Sequence, residues 1–327
     1  MSRISRATGC AWLPGSCFSR VVAVIAMAGF AAGAVRTVYA QGGAIGQMPS
    51  LDQHIFVPTT FIPDAFINTQ LTLSVGSSNS IKTDVPLFTD SGQQIGTVHG
   101  DLLFLTGGVD FHYAARDWVG FFLHFSALAR SGNNTASIFA SGLSAGSASG
   151  LGWEFRLHRT ERSQLSGSVS VDRTFITLIN VSAFVDDPEL GLARSYTPLL
   201  TTIDARYAYA FNDLVGLSAW VAGGVGENPA KGYDNVGFYK VGAVASIDLS
   251  RRHRAPIGFD LGARASSYPM TFDNVNGNTW AGLFSIAYVG RPDFSLTLDT
   301  SYERVPLGYH DVDIGYLGFT IGLKYFF

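Results

Sequence analysis

The chain has 327 residues, of which 47% are hydrophobic and only 14% are charged, and its formal net charge is −3. This balance does not favour a nucleic-acid partner, because such proteins carry a basic patch. The longest apolar run, residues 21–35, is shorter than the roughly 20 residues that a membrane-spanning helix needs. The apolar composition therefore requires another explanation.

Residues 1–40 have the layout of a secretory signal peptide. Arg3, Arg6 and Arg20 precede the apolar run, no acidic residue occurs, and Val38-Tyr39-Ala40 is a small-x-Ala cleavage site. We expect cleavage before Gln41, with an uncleaved anchor as the alternative. The two cysteines, Cys10 and Cys17, lie in the removed part, so the mature chain has no disulfide and no cysteine metal site.

Residues 41–66 include the sequence IFVPTTFIPDAF, which is too apolar for a free tail. We interpret these residues as a periplasmic segment. It either enters the barrel predicted for residues 67–327 as a hatch or lies against the rim of that barrel. In either case Phe56, Phe61 and Phe66 are the expected docking side chains.

From residue 67 onward, apolar and polar residues alternate with a period of two, which predicts strands with one apolar and one polar face. A strand of about 11 residues rises about 36 Å, and a tilt of about 40° leaves a height near that of the bilayer core. The twelve predicted strands are 67–76, 101–113, 118–130, 148–158, 165–173, 198–210, 215–225, 238–249, 257–266, 279–289, 294–304 and 314–327.

The charged residues indicate which face meets lipid. In the eighth strand Tyr239, Val241 and Ala243 share one face, whereas Lys240 lies on the other, and we expect no charge on the apolar face of any strand. A charge facing lipid at mid-depth costs roughly 2–4 kcal/mol, but one facing a wet lumen costs almost nothing. The predicted lumen-lining residues are Asp101, Asp110, His112, His124, Arg130, Glu154, Arg156, Asp172, Asp204, Arg206, Lys240, Asp248, Asp260, Arg264, Asp299, Glu303 and Lys324.

The connectors alternate between short turns and longer loops rich in Gly, Ser, Asn and Asp, as in outer-membrane barrels. One long loop, 174–197, is apolar and could include a short helix; it either folds into the mouth or packs on the outer rim. Together these features predict an all-β, transmembrane, antiparallel up-and-down barrel of about 12 strands.

At this point the chain resembles the bacterial outer-membrane β-barrel superfamily over residues 67–327. The resemblance rests on the signal peptide, the even strand number and the terminal aromatic residues Tyr325 and Phe327. It implies that these two residues are an assembly signal, that the partners are outer-membrane lipid and the barrel-assembly machinery, and that the protein resides in the outer membrane. It identifies no particular transporter and no oligomeric state.

No catalytic, cofactor or metal site is predicted. Residues 142–146, GLSAG, match the G-x-S-x-G nucleophile elbow around Ser144, but they lie in a Gly/Ser-rich loop without a following helix signal. The seven histidines show neither the i, i+2 nor the i, i+4 spacing that would direct two imidazoles at one ion.

The predicted function is a channel that passes small molecules, passively or with a gate, through a polar lumen of mixed charge. The alternative is a plugged lumen, in which opposite charges pair. Twelve strands favour a passage, because the side chains of an eight-stranded barrel already fill its interior. The alternatives are an outer-membrane hydrolase on a barrel scaffold and a structural or adhesive barrel. The polar or hydrophobic nature of the solute stays undecided.

Overall fold

A computed structural model describes residues 47–81, 84–88, 94–99, 102–131, 142–179, 187, 189, 191–228, 234–250, 255–267, 278–306 and 313–327. The predicted signal peptide and Asp101 lie outside these residues. Within the described ranges, no helix has the length and apolarity needed to cross a membrane.

The described residues form β-strands joined by turns. In chain order the strands are β1 (Ser50–Leu51), β2 (His54–Ile55), β3 (Gln70–Ile81), β4 (Asp84–Phe88), β5 (Gln94–His99), β6 (Leu103–Arg116), β7 (Val119–Ser131), β8 (Gly142–Arg159), β9 (Ser163–Ile179), β10 (Ala193–Tyr196), β11 (Leu199–Ala210), β12 (Val215–Asn228), β13 (Asp234–Asp248), β14 (Ile257–Ser267), β15 (Asn278–Arg291), β16 (Phe294–Pro306) and β17 (Asp313–Phe326).

Twelve of these strands close into an antiparallel barrel, which confirms the predicted fold class. The sheet runs β9-β11-β12-β13-β14-β15-β16-β17-β3-β6-β7-β8, and pairing of β8 with β9 joins its two ends. Strands about 4.8 Å apart and tilted about 40° place the backbones of twelve strands about 24 Å apart across the barrel. This bore can hold an extended stretch of chain.

The outer face of the barrel is apolar and exposed. Along β15 and β16, Phe284, Ile286, Leu296 and Leu298 are each at least 38% exposed, whereas Ser285 between them is fully buried. Aromatic rings cluster near the strand ends: Phe294 and Tyr325 have centroids 5.0 Å apart, and Trp280 and Tyr302 have centroids 5.9 Å apart. Such a band between aromatic girdles fits a surface that contacts lipid.

Two arginines contradict the expectation that the apolar face carries no charge. Arg173 and Arg304 are exposed and share the parity of their outward neighbours Phe175 and Tyr302. Both lie toward the long-loop ends of β9 and β16, where a side chain can reach the polar boundary of a membrane. A charge near that boundary costs only about 0–1 kcal/mol, which explains why the pattern relaxes there.

Several predicted boundaries were wrong at the long-loop rim, defined as the rim with the connectors 82–102, 132–141, 180–198, 229–233, 268–277 and 307–312. Strand β3 continues to Ile81, and β4 pairs with β5 inside the predicted loop 77–100; at the other rim, β3 begins at Gln70 rather than at residue 67. Strand β8 begins at Gly142, within the predicted Gly/Ser-rich loop. In the predicted apolar loop 174–197, β9 continues to Ile179 and β10 pairs back onto it.

The opposite, short-turn rim has the brief connectors 117–118, 160–162, 211–214, 249–256 and 292–293. Here residues 47–69, called the lumen segment below, lie inside the ring of strands. The segment begins with the hairpin β1–β2, whose turn residues Asp52 and Gln53 both have positive φ, as a two-residue type I′ turn requires. No residue of the segment pairs with the barrel sheet, and Gln70 starts the first barrel strand.

Candidate functional site

The lumen segment packs its apolar side chains against small residues of the inner wall. Phe56 and Phe66 are buried in one cluster with Ala208 and Ala210 of β11. A second cluster joins Met48 and Val57 to Ala287 and Val289 of β15 and to Phe326 of β17. Since these strands belong to separate sides of the closed ring, the segment fills the short-turn end of the bore rather than covering its rim.

Two carboxylates of the wall accept hydrogen bonds from the backbone of the segment. Asp248 Oδ2 accepts from Ile55 N at 3.3 Å, and Asp299 Oδ2 accepts from Thr60 N at 2.9 Å. The Thr60 hydroxyl also donates to Asp299 Oδ2 at 2.5 Å. Both carboxylates are fully buried, so the segment supplies the partners that water would otherwise supply.

Asp64 is the charged anchor of the segment. Its Oδ2 lies 2.6 Å from Lys324 Nζ of β17, and its backbone oxygen accepts a hydrogen bond from Arg206 Nη1 at 3.2 Å. Burial raises the pKa of Asp64, but Lys324, with smaller contributions from His112 and Arg206, outweighs burial and lowers it below its ordinary value. Asp64 is therefore a carboxylate in the docked state.

Arg206 connects this anchor to a buried ion network on β8 and β11. Its Nη2 lies 2.9 Å from Asp204 Oδ2, and its Nη1 lies 3.5 Å from Glu154 Oε2. His112 Nδ1 approaches the same Glu154 oxygen at 3.2 Å. Opposite charges thus pair across strands in this half of the lumen, as in the alternative of a plugged bore.

His54 is fully buried in the hairpin at the short-turn end. Burial lowers its pKa below the ordinary value, opposed by smaller contributions from the backbone and carboxylate of Asp213 and from the carboxylate of Asp248. A Cβ added at Gly216 of β12 would lie 2.5 Å from His54 Nε2, so the imidazole rests directly on the backbone at that glycine. The docked segment therefore favours a neutral His54.

Most of the remaining predicted residues lie toward the long-loop end. His124 Nε2 lies 2.9 Å from Asp172 Oδ1, Asp110 is directly opposite His124 on β6, and Arg264 Nη2 lies 3.1 Å from Glu303 Oε2. Arg156 pairs with Asp117 at the short-turn rim. Arg130 lies opposite Phe104 across β6 and β7.

Three positions in this lumen have unusual environments. Asp260 is 2% exposed, and neither of its carboxylate oxygens has a hydrogen-bond partner in the described part of the chain. The indole Nε1 of Trp220 is also buried without a hydrogen-bond partner in the described residues. Lys240 is exposed, and its Nζ lies 5.6 Å from the centroid of the Phe238 ring.

The geometry gives no support to a hydrolase site at Ser144. Residues 142–146 form the start of β8, which continues as a strand to Arg159, so the strand-to-helix turn of a nucleophile elbow is not formed there. Across the described ranges, no group of three or more His, Asp or Glu side chains is arranged to hold a metal ion.

Sequence reasoning missed the uncharged wall residues that bind the segment. Ser246 Oγ accepts from Val57 N at 3.1 Å, Ser285 Oγ lies 3.3 Å from Thr59 Oγ1, and Gln164 donates to the Ala65 oxygen at 2.6 Å. Serine on a polar strand face carries no signal that separates contact with water from contact with protein. Asp64 could have been singled out, because it is an acid within an apolar stretch.

The terminal residues lie at the short-turn rim. Tyr325 and Phe327 are exposed on the outer face, and Phe327 N donates to the Thr69 oxygen at 2.9 Å. This bond links the end of the chain to the end of the lumen segment, while assembly signalling by the two aromatic residues stays a prediction.

No family model matches the chain, and no curated protein does. Among solved structures, an outer-membrane channel from Pseudomonas putida F1 is similar with a TM-score of 0.51 and 10% identity, over 83% of this chain and 100% of that one. The translocator domain of the autotransporter NalP from Neisseria meningitidis has a TM-score of 0.47 and 12% identity, over 79% and 88% of the two chains. The NanC porin has a TM-score of 0.44 and 6% identity, over 78% and 100%. Likeness at these identities shows the fold alone, a closed antiparallel β-barrel.

Proposed function

We propose that the protein is an outer-membrane channel for small molecules and that the lumen segment is its gate. The observation that carries this proposal is the occupant of the bore. A stretch of chain outside the barrel sheet fills the short-turn end and contacts the wall through Asp248, Asp299, Arg206 and Lys324. Because the occupant is outside the barrel sheet, its departure would break no strand pairing of the barrel.

The contacts of the segment are of a kind that water can replace. Backbone N–H groups bind wall carboxylates, and Asp64 binds Lys324, so undocking exchanges these partners for solvent. A typical hydrogen bond contributes only about 0.5–1.5 kcal/mol net, because water competes for both groups. The wall facing the segment is also rich in Ser, Thr, Asp and Gly, which would line a hydrated passage once the segment left.

The outer surface supports the location. The exposed apolar band and its aromatic girdles suit a bilayer, and residues 1–40 are predicted to direct export. In this arrangement the short-turn rim faces the periplasm and the long-loop rim faces outward. Outer-membrane lipid and the barrel-assembly machinery are the proposed partners, and catalysis is not part of the proposal.

One observation also favours a second candidate, a closed structural barrel. The Arg206 network and the docked segment would form a permanent plug if the segment never left. The two functions differ in whether the segment moves, which permeability measurements detect.

The test compares the mature chain with a variant lacking residues 47–66 in planar bilayers and in liposome-swelling assays. The deletion removes no strand pairing of the barrel. The circular-dichroism spectrum of the unheated variant and its heat-modifiable gel migration check that the barrel is intact. The channel proposal predicts discrete openings in the mature chain and a larger, persistent conductance in the variant. A folded variant that stays silent to ions and small sugars would contradict it, and a silent mature chain beside a conducting variant would select the closed barrel.

A further inference from the structure

Above the lumen segment, toward the long-loop end, three strands present nitrogen donors around a glycine. Trp220 of β12, Gly242 of β13 and Arg264 of β14 are direct cross-strand neighbours, and all three face the lumen. Lys240 lies two residues from Gly242 on the same face of β13. Gly242 has no side chain, and the space that a Cβ would take there is occupied by Ile62 of the lumen segment.

Two of these donors lack a full set of acceptors. Trp220 Nε1 is buried and has no acceptor in the described residues, and no described carboxylate lies within ion-pair distance of Lys240 Nζ. Asp172 attracts Lys240 from outside hydrogen-bond distance, and this attraction is larger than the repulsion between Lys240 and Arg264. An acceptor with negative charge at this point would satisfy the indole and give the Lys240 ammonium a direct partner.

An apolar surface borders the donors on the side of the segment. Val244, Ala281 and Leu283 of the wall are buried with Ile62, and Phe61 and Trp220 pack against them. A Cβ on Gly242 would approach Ile62 Cγ2 to 3.0 Å, so the isoleucine lies close over the glycine. Within a lumen lined mainly by polar and small residues, this is a place where a hydrocarbon or aromatic group can be buried.

The segment already occupies both halves of this site. The Phe61 carbonyl oxygen accepts a weak hydrogen bond from Arg264 Nη1 at 3.5 Å, while the Phe61 and Ile62 side chains cover the apolar surface. Arg264 Nη2 binds Glu303 and its side chain is 35% exposed, so this guanidinium is accessible from the lumen. A solute with an anionic head and an apolar body would take the place of the carbonyl and the two side chains.

We propose that Lys240, Arg264 and Trp220 bind the carboxylate of a small amphipathic organic acid, whose apolar body displaces Phe61 and Ile62 from the wall. The ligand then competes directly with docking of the segment, and its binding favours the open channel. This assignment rests on the proposed function, since it names the solute class of the same lumen. Arg264 supplies the planar donor pair that suits a carboxylate, and Lys240 supplies charge.

The experiment measures benzoate binding to the mature protein in detergent by isothermal titration calorimetry. Benzyl alcohol is the control that has the apolar ring without the charge, and acetate is the control that has the carboxylate without the ring. Benzoate is expected to bind at least tenfold more tightly than either. Lys240→Gln and Trp220→Phe should each weaken benzoate about tenfold, whereas Arg156→Gln, which removes a cation at the short-turn rim, should leave it unchanged. Asp64→Asn should strengthen it, because the competing segment is released.

Equal affinities for benzoate and benzyl alcohol, or an unchanged benzoate affinity in folded Lys240→Gln and Trp220→Phe variants, would overturn the site. Bilayer recordings separate this failure from that of the channel. Openings that benzoate neither prolongs nor promotes would reject the carboxylate site while leaving the channel intact. Benzoate binding without any conductance, even in the variant lacking residues 47–66, would instead reject the channel.

Discussion

The substitution Asp64→Asn tests whether one ion pair holds the proposed gate shut. Asp64 and Lys324 are 2.6 Å apart, and their side chains are only 16% and 8% exposed. Removing one partner of a buried pair costs about 3–5 kcal/mol, because the other charge remains buried without compensation. We use the lower limit, since Asp110 is within electrostatic reach of the stranded ammonium. At about 1.4 kcal/mol per factor of ten, the docking constant falls roughly 100-fold.

Single-channel recording measures this change as the fraction of time spent open. The matched control is Asp52→Asn in the same segment, which removes an ion pair with Arg162 whose side chains are 30% and 58% exposed. An exposed pair of this kind contributes about 0–1 kcal/mol, so the control should open less than tenfold more often. Adding Lys324→Gln to Asp64→Asn should recover part of the closed state, because no buried charge is left unpaired. Equal open fractions in Asp64→Asn and Asp52→Asn would refute the reasoning.

Three further predictions concern the gate and the barrel wall. Gly216→Ala should raise the open fraction because its methyl group collides with His54, whereas Gly282→Ala, whose Cβ meets nothing within 4 Å, should leave recordings unchanged. Docking of the lumen segment is strongest above the ordinary histidine pKa of about 6.5 and weakens as the pH falls from there toward the lowered pKa of His54. The open fraction should therefore rise as the pH is lowered from 7.5 to 5. The variant His54→Phe should show a smaller change over the same pH range. Leu261→Arg, at a side chain 65% exposed on the outer face, should lower the free energy of unfolding in lipid by about 2–4 kcal/mol relative to Leu261→Gln; equal stabilities would place that face away from hydrocarbon.

The strand number and the apolar face could be predicted because the environment acts on every second residue. Along β13, Val241, Ala243 and Ala245 are exposed outward, and Val244 and Ser246 are buried. Beyond the apolar band this selection is absent, so alternation carries no signal for the extensions of β8 and β9 there. Arg173 and Arg304 are exposed outward in the same zone, for the same reason.

The position of the lumen segment could not be predicted from residues 41–66 alone. A hatch and a rim contact both bury Phe56 and Phe66, so their apolarity does not distinguish them. The contacts that fix the segment come from residues far along the chain, such as Asp248, Asp299 and Lys324. Each of these also looks like an ordinary polar residue on a lumen-facing strand position.

A reversible lock on the gate tests the account most directly. Thr59 Oγ1 and Ser285 Oγ are 3.3 Å apart, so Thr59→Cys with Ser285→Cys places two thiols within reach of a disulfide, in a mature chain predicted to contain no other cysteine. In a planar bilayer, the oxidised protein should stay closed, and the protein should open when it is reduced in the same membrane. The conductance of each single-cysteine variant should not change when reductant is added. Conductance that is the same before and after reduction, with the disulfide verified by mass spectrometry, would show that solutes do not pass where the lumen segment lies.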